Sequence, residues 1–354
     1  MVKPWIRRVF LIHLCMQVLI VLSGGIVRLT GSGLGCTTAP QCVPGSIIPV
    51  ADQHQGLATV IEFSNRILSV LVGFVALLAV IAAWKSGSRR LLQLSGIPII
   101  FTLVQGILGG ITVNTGLHPG TVMAHFLFSA ILVAAASVLY IRSIQPDQPR
   151  QLTVRKEVWW LGIGMSVALA AVLIAGTVTT GTGPHAGDAE NPPRFNLDLQ
   201  FVTHIHAEIG IAFAMLVVAM LIALRLSKAS QLARELSWWL LAAVALQATI
   251  GYLQVFSGLP ILLVAMHMLA ASLLVVVMAF LMCELRRAPD TALAPAETGA
   301  SDQAPVAAQA PDGTTSADNE NDGAVLTAGN KTDGAAQPAG SEDAATSGRT
   351  SANT

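Results

Sequence analysis

Eight apolar stretches, each about the ~20 residues that a helix needs to cross a ~30 Å hydrocarbon layer, occupy residues 1–287 of a 354-residue chain. They run approximately over residues 9–28, 57–84, 92–113, 121–142, 157–179, 202–226, 236–256 and 260–284. The expected fold is therefore an all-α integral membrane protein with eight transmembrane helices. The first stretch is too long for the apolar core of a secretory signal, and seven more follow it, so it reads as a retained helix. The residues ahead of it lack the Arg- and Ser-rich amphipathic pattern of a mitochondrial leader, which favours a bacterial inner (cell) membrane.

Lysine and arginine set the orientation. Fifteen of the twenty fall on one side of the spans, among them Arg7 and Arg8, Arg89 and Arg90, Arg155 and Lys156, and Arg286 and Arg287; Arg28, Arg66 and Arg194 fall on the other. Both termini are thus expected in the cytoplasm, with the connections 29–56, 114–120, 180–201 and 257–259 outside. A net charge of zero conceals a split: eighteen basic and ten acidic residues up to position 287 give +8, and two and ten beyond it give −8. From about Ala288 the Ala, Gly, Thr, Ser, Asp and Pro content leaves too little apolar surface to offset ordering entropy, so residues 288–354 read as a disordered acidic cytoplasmic tail. There is no basic face for a nucleic acid, and four cysteines are too few for a disulfide-stapled secreted domain.

The spans repeat. Gln105 precedes Gly109 by four residues and His125 by twenty, and Gln247 stands in the same relation to Gly251 and His267. Leu127, Leu132 and Val133 correspond to Leu269, Leu274 and Val275, and the exit Thr30-Gly31-Ser32-Gly33 of span one matches Thr180-Gly181-Thr182-Gly183 of span five. The register sets Asn65, sixty residues before His125, opposite His206, sixty-one before His267. Four helices are therefore used twice, over 1–150 and 151–287. An even number of crossings per copy gives both the same orientation and a pseudo-two-fold axis along the membrane normal.

Ionisable groups inside a membrane are costly and mark function by default. Glu62, Arg66, His125, His204, His206, Glu208 and His267 all lie within a few turns of the outer ends of the even-numbered spans. A lone intramembrane histidine is as readily a hydrogen-bonded packing residue as a ligand. Histidines recurring at equivalent positions favour the ligand, because two imidazoles at one depth on two helices of a bundle can supply both axial ligands of a haem. His204 points about 200° away from His206 and reads as a polar neighbour or proton-path residue. His13 has no repeat partner and reads as structural, while His54, His118 and His185 lie in outer connections and read as solvated. Glu62 shares a helical face with Asn65 and Arg66. Its pairing with Arg66 is either structural, or Glu62 acts on substrate or protons beside the iron while Arg66 meets a propionate or Glu62 itself. Cys36 and Cys42 lie in the first outer connection, where a disulfide is favoured over two free thiols. Cys15 and Cys283, near the inner face, read as packing residues.

Taken together, Gly25-Ile26-Val27-Arg28-Leu29-Thr30-Gly31-Ser32-Gly33-Leu34-Gly35-Cys36, Cys42, Ile61-Glu62-Phe63-Ser64-Asn65-Arg66, the Gly183-Pro184-His185-Ala186-Gly187-Asp188 connection and the histidines heading spans four, six and eight resemble the haem A synthase family. The likeness covers all eight spans and leaves out the tail. It implies that the C8 methyl of haem O, which carries a hydroxyethylfarnesyl chain, is oxidised to a formyl group by two hydroxylations and loss of water, giving haem A for cytochrome oxidase. It implies a haem b held in the C-terminal half by His206 and His267. It also implies a haem O site in the N-terminal half with His125 as axial ligand and Glu62 as the acidic residue of the reaction, and a part for Cys36 and Cys42 in catalysis or haem handover. Haem O synthase, oxidase assembly factors and an electron donor are the partners it implies, besides membrane lipid and the haem O substrate.

Two features depart from the family pattern: Asn65 stands where many members have histidine, and a second outer cysteine pair is missing. An amide ligates iron poorly, so one face of the N-terminal haem is expected to be open to an oxidant while the haem b relays electrons. The rival reading is a dihaem b cytochrome that passes electrons from quinol without modifying haem. A transporter of parallel repeats is a third, disfavoured because the polar residues lie near the outer surface rather than at the midplane. Asn65→His is expected to turn the N-terminal haem spectrum low-spin; an unchanged spectrum would mean that Asn65 does not face iron.

Overall fold

Each apolar stretch forms one helix. In the computed structural model, which describes residues 2–50, 56–188 and 192–288, these are α1 (Pro4–Leu29), α2 (Leu57–Lys85), α3 (Arg89–Asn114), α4 (Pro119–Ile144), α5 (Lys156–Thr182), α6 (Leu199–Leu226), α7 (Gln231–Phe256) and α8 (Ile261–Leu285). All eight are long and apolar enough to cross a membrane, so the chain is an all-α, multi-pass membrane protein. The acidic tail, residues 289–354, and His54 lie outside the described residues.

The helices overrun the apolar stretches by up to five residues: α1 begins at Pro4 rather than 9, and α7 at Gln231 rather than 236. Hydropathy marks only the hydrocarbon-embedded part, whereas helical hydrogen bonding continues into the interface, where Trp, Lys and Arg are at home. The overrun ends where a first turn can be capped. Ser88, Asp198 and Ser230 accept the amides of Leu91, Phe201 and Ala233, and Pro4 and Pro119 occupy first-turn positions that need no amide donor.

All eight helices belong to one compact unit. Contacts close a ring in each half: α1 meets α2, α2 meets α3, α3 meets α4 and α4 returns to α1, and α5 to α8 do the same. α8 crosses the seam to touch α1 and α4, and α5 also touches α4. The larger buried cluster lies in the second half and at the seam, around Met165, Phe213, Val217, Met220, Leu240 and Leu281. A smaller one, Ile6, Phe10, Ala79, Ala82, Ala83, Leu91 and Leu139, closes the inner end of the first half.

Long-range polar ties bind both ends. At the inner end, two short strands not foreseen in the sequence, β1 (Gln151–Leu152) and β2 (Arg286–Arg287), pair antiparallel, so the connection between the halves is fastened to the end of α8. The buried Arg142 guanidinium donates to the Cys283 carbonyl at 3.1 Å and the Arg286 carbonyl at 2.9 Å. At the outer end, Arg28 donates to the carbonyls of His185 at 2.8 Å and Thr180 at 3.0 Å, and the Gly33 amide donates to the Gly187 carbonyl at 2.7 Å. Two sequence expectations change here. His185 is not a free surface residue: its Nε2 lies 2.8 Å from the Leu259 carbonyl, joining the α5–α6 and α7–α8 connections. Cys15 is exposed on the helix surface rather than packed, whereas Cys283 is buried.

Arg142→Ala leaves two carbonyls in a water-poor interior without their charged donor. It is expected to cost about 2–4 kcal/mol, read as a lowered unfolding midpoint in detergent.

Candidate functional site

Two histidine sites lie at one depth. Asn65 is eight residues inside α2, His206 seven inside α6, and His125 and His267 six inside α4 and α8. At 1.5 Å per residue these positions lie roughly 9–12 Å below the outer helix ends.

In the first half the four helices surround a cavity of about 880 Å³, within the range of small-molecule and cofactor pockets. Glu62, Asn65, Arg66, Gln105 and His125 all line it. Glu62 is only 4% exposed. Its Oε2 accepts the Cys36 amide, and its Oε1 accepts Arg66 Nη2 at 2.6 Å and Nε at 3.1 Å. The same guanidinium donates to the carbonyls of Thr38 at 2.9 Å, Gln41 at 3.1 Å and Cys36 at 3.4 Å. Cys36 and Cys42 form a disulfide. The Glu62–Arg66 pair therefore fastens the disulfide loop over one end of the cavity. Gly35 is required beneath it, since a Cβ there would run into the Ala58 carbonyl.

Each histidine is seated in a glycine notch on the preceding helix. A Cβ added at Gly109, Gly176 or Gly251 would stand 3.4, 3.0 or 3.3 Å from Cε1 of His125, His206 or His267. Gln105, four residues before the first notch, donates to the His125 carbonyl at 3.0 Å and to Ser129 Oγ. His206 Nδ1 lies 3.1 Å from the Val172 carbonyl on α5, and at the equivalent place in the first half Ser23 of α1 donates to Asn65 Oδ1 at 2.8 Å. Nδ1 of His125 is buried without a hydrogen bond, the His267 ring faces the Gln247 backbone carbonyl, and among the described residues none reaches Nε2 of His125, His206 or His267. The His206 and His267 rings are 6.3 Å apart, centre to centre. Two imidazoles bound to one metal through ~2 Å bonds would set their ring centres roughly 6 Å apart.

The structure thus brings His206 to His267 in the second half, and Glu62, Asn65, Arg66 and His125 to one cavity in the first. His204 and Glu208 face away from both sites, paired at 3.0 Å on the exposed side of α6. Sequence reasoning missed four lining residues. Arg28 was counted only as an outer charge, although it also lines the cavity. Ala186 and Gly187 come from the second half to cover the cavity; the Gly-rich motif around them was visible, its position was not. Met268, beside His267, reaches the cavity from α8, its Sδ 3.0 Å from where a Gly25 Cβ would stand. The repeated glycines 109 and 251 were visible in the sequence too, without the rings that explain them.

A family model described as cytochrome oxidase assembly protein, COX15-CtaA, matches residues 7–279, all but the ends of the helical unit. The chain belongs to the COX15-CtaA family. Among its relatives are haem A synthases of Bacillus mycoides strain KBAB4, 28% identical over 286 residues that cover 75% of this chain and 89% of the relative, and of Bacillus cereus strain G9842, 27% identical over the same shares. A third, the haem A synthase of Alkalihalophilus pseudofirmus, is 36% identical over 130 residues, 36% of this chain and 42% of the relative.

In this COX15-CtaA protein Arg66 is the main tie between α2 and the disulfide loop. Arg66→Ala is expected to speed amide hydrogen exchange over residues 36–42 by about ten- to a hundred-fold, the effect of losing roughly 1–3 kcal/mol of charged hydrogen bonding.

Proposed function

We propose that the chain is a haem A synthase, a haem-dependent oxidoreductase that converts the C8 methyl of haem O to a formyl group by successive hydroxylation. The carrying observation is the pairing, in a family with haem A synthase relatives, of a large cavity holding His125 and a clamped Glu62 with a separate imidazole pair.

The cofactor suggested for the second half is haem b, with His206 and His267 as the residues that would hold it. The fit rests on the 6.3 Å ring separation and on Nε2 atoms that have no hydrogen-bond partner among the described residues. Haem b bound there would supply one-electron transfer. The Val172 carbonyl fixes the His206 tautomer and turns the ring's other nitrogen outward, as partners of metal-bound histidines do.

In the first half, the haem O substrate would be ligated by His125. Glu62 is the group suited to hold or pass a proton, since the Cys36 amide and the Arg66 guanidinium fix its carboxylate inside the cavity. Arg28 and Arg66, both lining the outer part, offer cations to the substrate's propionates. Asn65 faces the substrate as a polar group rather than a ligand: Ser23 occupies its oxygen, leaving the NH₂ as a donor. The dihaem cytochrome reading has no use for a carboxylate clamped inside the cavity.

The proposal extends to a bacterial inner membrane with cytoplasmic termini, to two tandem four-helix bundles over 1–150 and 151–287 related by a pseudo-two-fold axis, and to haem O synthase, oxidase assembly factors and an electron donor as partners. The test is to co-express the protein with a haem O supply, extract its haems and identify them by mass. Haem A or its alcohol precursor is expected from the native chain. Glu62→Gln should cut that yield by about 10²-fold or more, the usual scale for a lost acid–base group. Haem b alone would overturn the reading, and so would unchanged visible bands in His206→Ala or His267→Ala protein.

A further inference from the structure

The cavity in the first half is not sealed from the membrane. Its walls on α1 and α4 are buried: Val21, Val27 and Leu132 are each at most 8% exposed. The wall shared by α2 and α3 differs. Val70 on α2 is 75% exposed, and Leu103 and Ile107 on α3 are 67% and 65% exposed, yet all three line the cavity. A side chain that both lines a cavity and faces outward marks its opening. Two glycines keep this opening clear. A Cβ at Gly106 would meet nothing within 4 Å, and one at Gly73 would meet only Thr102 Cγ2, at 3.8 Å. Leu103, Gly106 and Ile107 fall on one face of α3, at spacings of three and four, and Val70 and Gly73 do the same on α2.

The opening is also placed in depth. Val70 is thirteen residues into α2, and Leu103, Gly106 and Ile107 are eleven, eight and seven from the outer end of α3, so the opening runs from roughly 10 to 20 Å below the outer helix ends, from the height of His125 to about twice as deep. Farther in, α2 and α3 close, with Ala79, Ala82, Ala83 and Leu91 in one buried cluster. The cavity therefore has a charged rim at Arg28, Arg66 and Glu62, an imidazole and an amide at mid-height, and an apolar slot leading sideways from that height inward.

We infer that the α2–α3 slot is the subsite for the isoprenoid chain of the substrate and the lateral portal through which that substrate enters from the membrane. The inference rests on the haem O reading and adds where the chain lies. With the propionates at the cationic rim and the iron at the height of His125, the chain must leave from the deeper side of the ring. The apolar outlet on that side runs between Gly73 and Gly106. A chain lying there exchanges lipid contact for protein contact without crossing polar surface, which makes lateral admission cheap for a molecule that partitions into the bilayer.

The test titrates haem O and protohaem, which lacks the isoprenoid chain, into native protein and a Gly106→Trp variant in lipid nanodiscs, following the His125-dependent absorption change. Because Gly106 has open space, the indole is expected to fill the slot rather than break the helix packing; Gly73→Leu repeats the test from α2, and Gly164→Trp, at an exposed open position on α5, controls for the added bulk. Gly106→Trp is expected to weaken haem O binding at least about ten-fold, equivalent to about 1.4 kcal/mol, while protohaem binds as before. Equal loss of both haems, or loss of neither in both slot variants, would overturn the portal and leave the haem O reading standing, with the slot occupied by lipid acyl chains alone. If the native protein binds neither haem through His125, the function reading fails and the portal fails with it.

Discussion

Hydrocarbon offers a polar group no partner, and that constraint governs nearly everything that is informative in this fold. A buried donor or acceptor without a hydrogen bond costs about 1–3 kcal/mol, and a charge costs more. The carboxylate of Glu62 is buried within a membrane-spanning helix only because an amide and a guanidinium surround it, and that guanidinium is in turn spent on three loop carbonyls. The ion pair, the loop and the disulfide thus form one device, and the position of Glu62 is a property of all three. Against this background the Nε2 atoms of His125, His206 and His267 meet no partner among the described residues, and each ring is seated in a glycine notch; buried His13 also leaves both nitrogens without a partner there, but it does not line the cavity.

Much of this architecture was legible in the sequence because it depends on local periodicity and on counting. Eight spans follow from hydropathy, and the internal repeat alone sets His125, His267, His206 and Asn65 at one depth. The Glu62–Arg66 pair could be read from its i,i+4 spacing, and the disulfide from the side of the membrane it occupies. Contacts between distant segments could not be read. Arg28 reaches partners more than 150 residues away, and nothing about an arginine at a helix end distinguishes a solvated charge from a clasp. His185 was misjudged for the same reason. The pairing of β1 with β2 is too short to leave a periodic signal, and helix ends moved by a turn because hydropathy stops where hydrogen bonding does not.

The polar ties at the two ends also explain how α1 to α4 and α5 to α8 hold together as one compact unit. Between them the seam carries buried apolar residues such as Val21, Val133 and Val275, and apolar surface alone holds helices together weakly in lipid, where the tails are as apolar as the side chains. Arg28 with the Gly33–Gly187 bond outside, and Arg142 with the short sheet inside, supply directional bonds where water thins out, fixing the rotation of one half against the other. The outer tie also drapes Ala186 and Gly187 over the first cavity, so the covering of one site is built from the other half of the chain.

α8 carries this coupling to its limit. Adjacent residues on one helix serve two compartments: the imidazole of His267 looks toward His206, while the thioether of Met268, seated over Gly25, borders the chamber of His125. Consecutive side chains on a helix diverge by about 100°, so the helix acts as a party wall with one room on each side. Turning it to improve the fit in one room narrows or widens the other, and the two compartments can neither drift nor diverge independently in evolution.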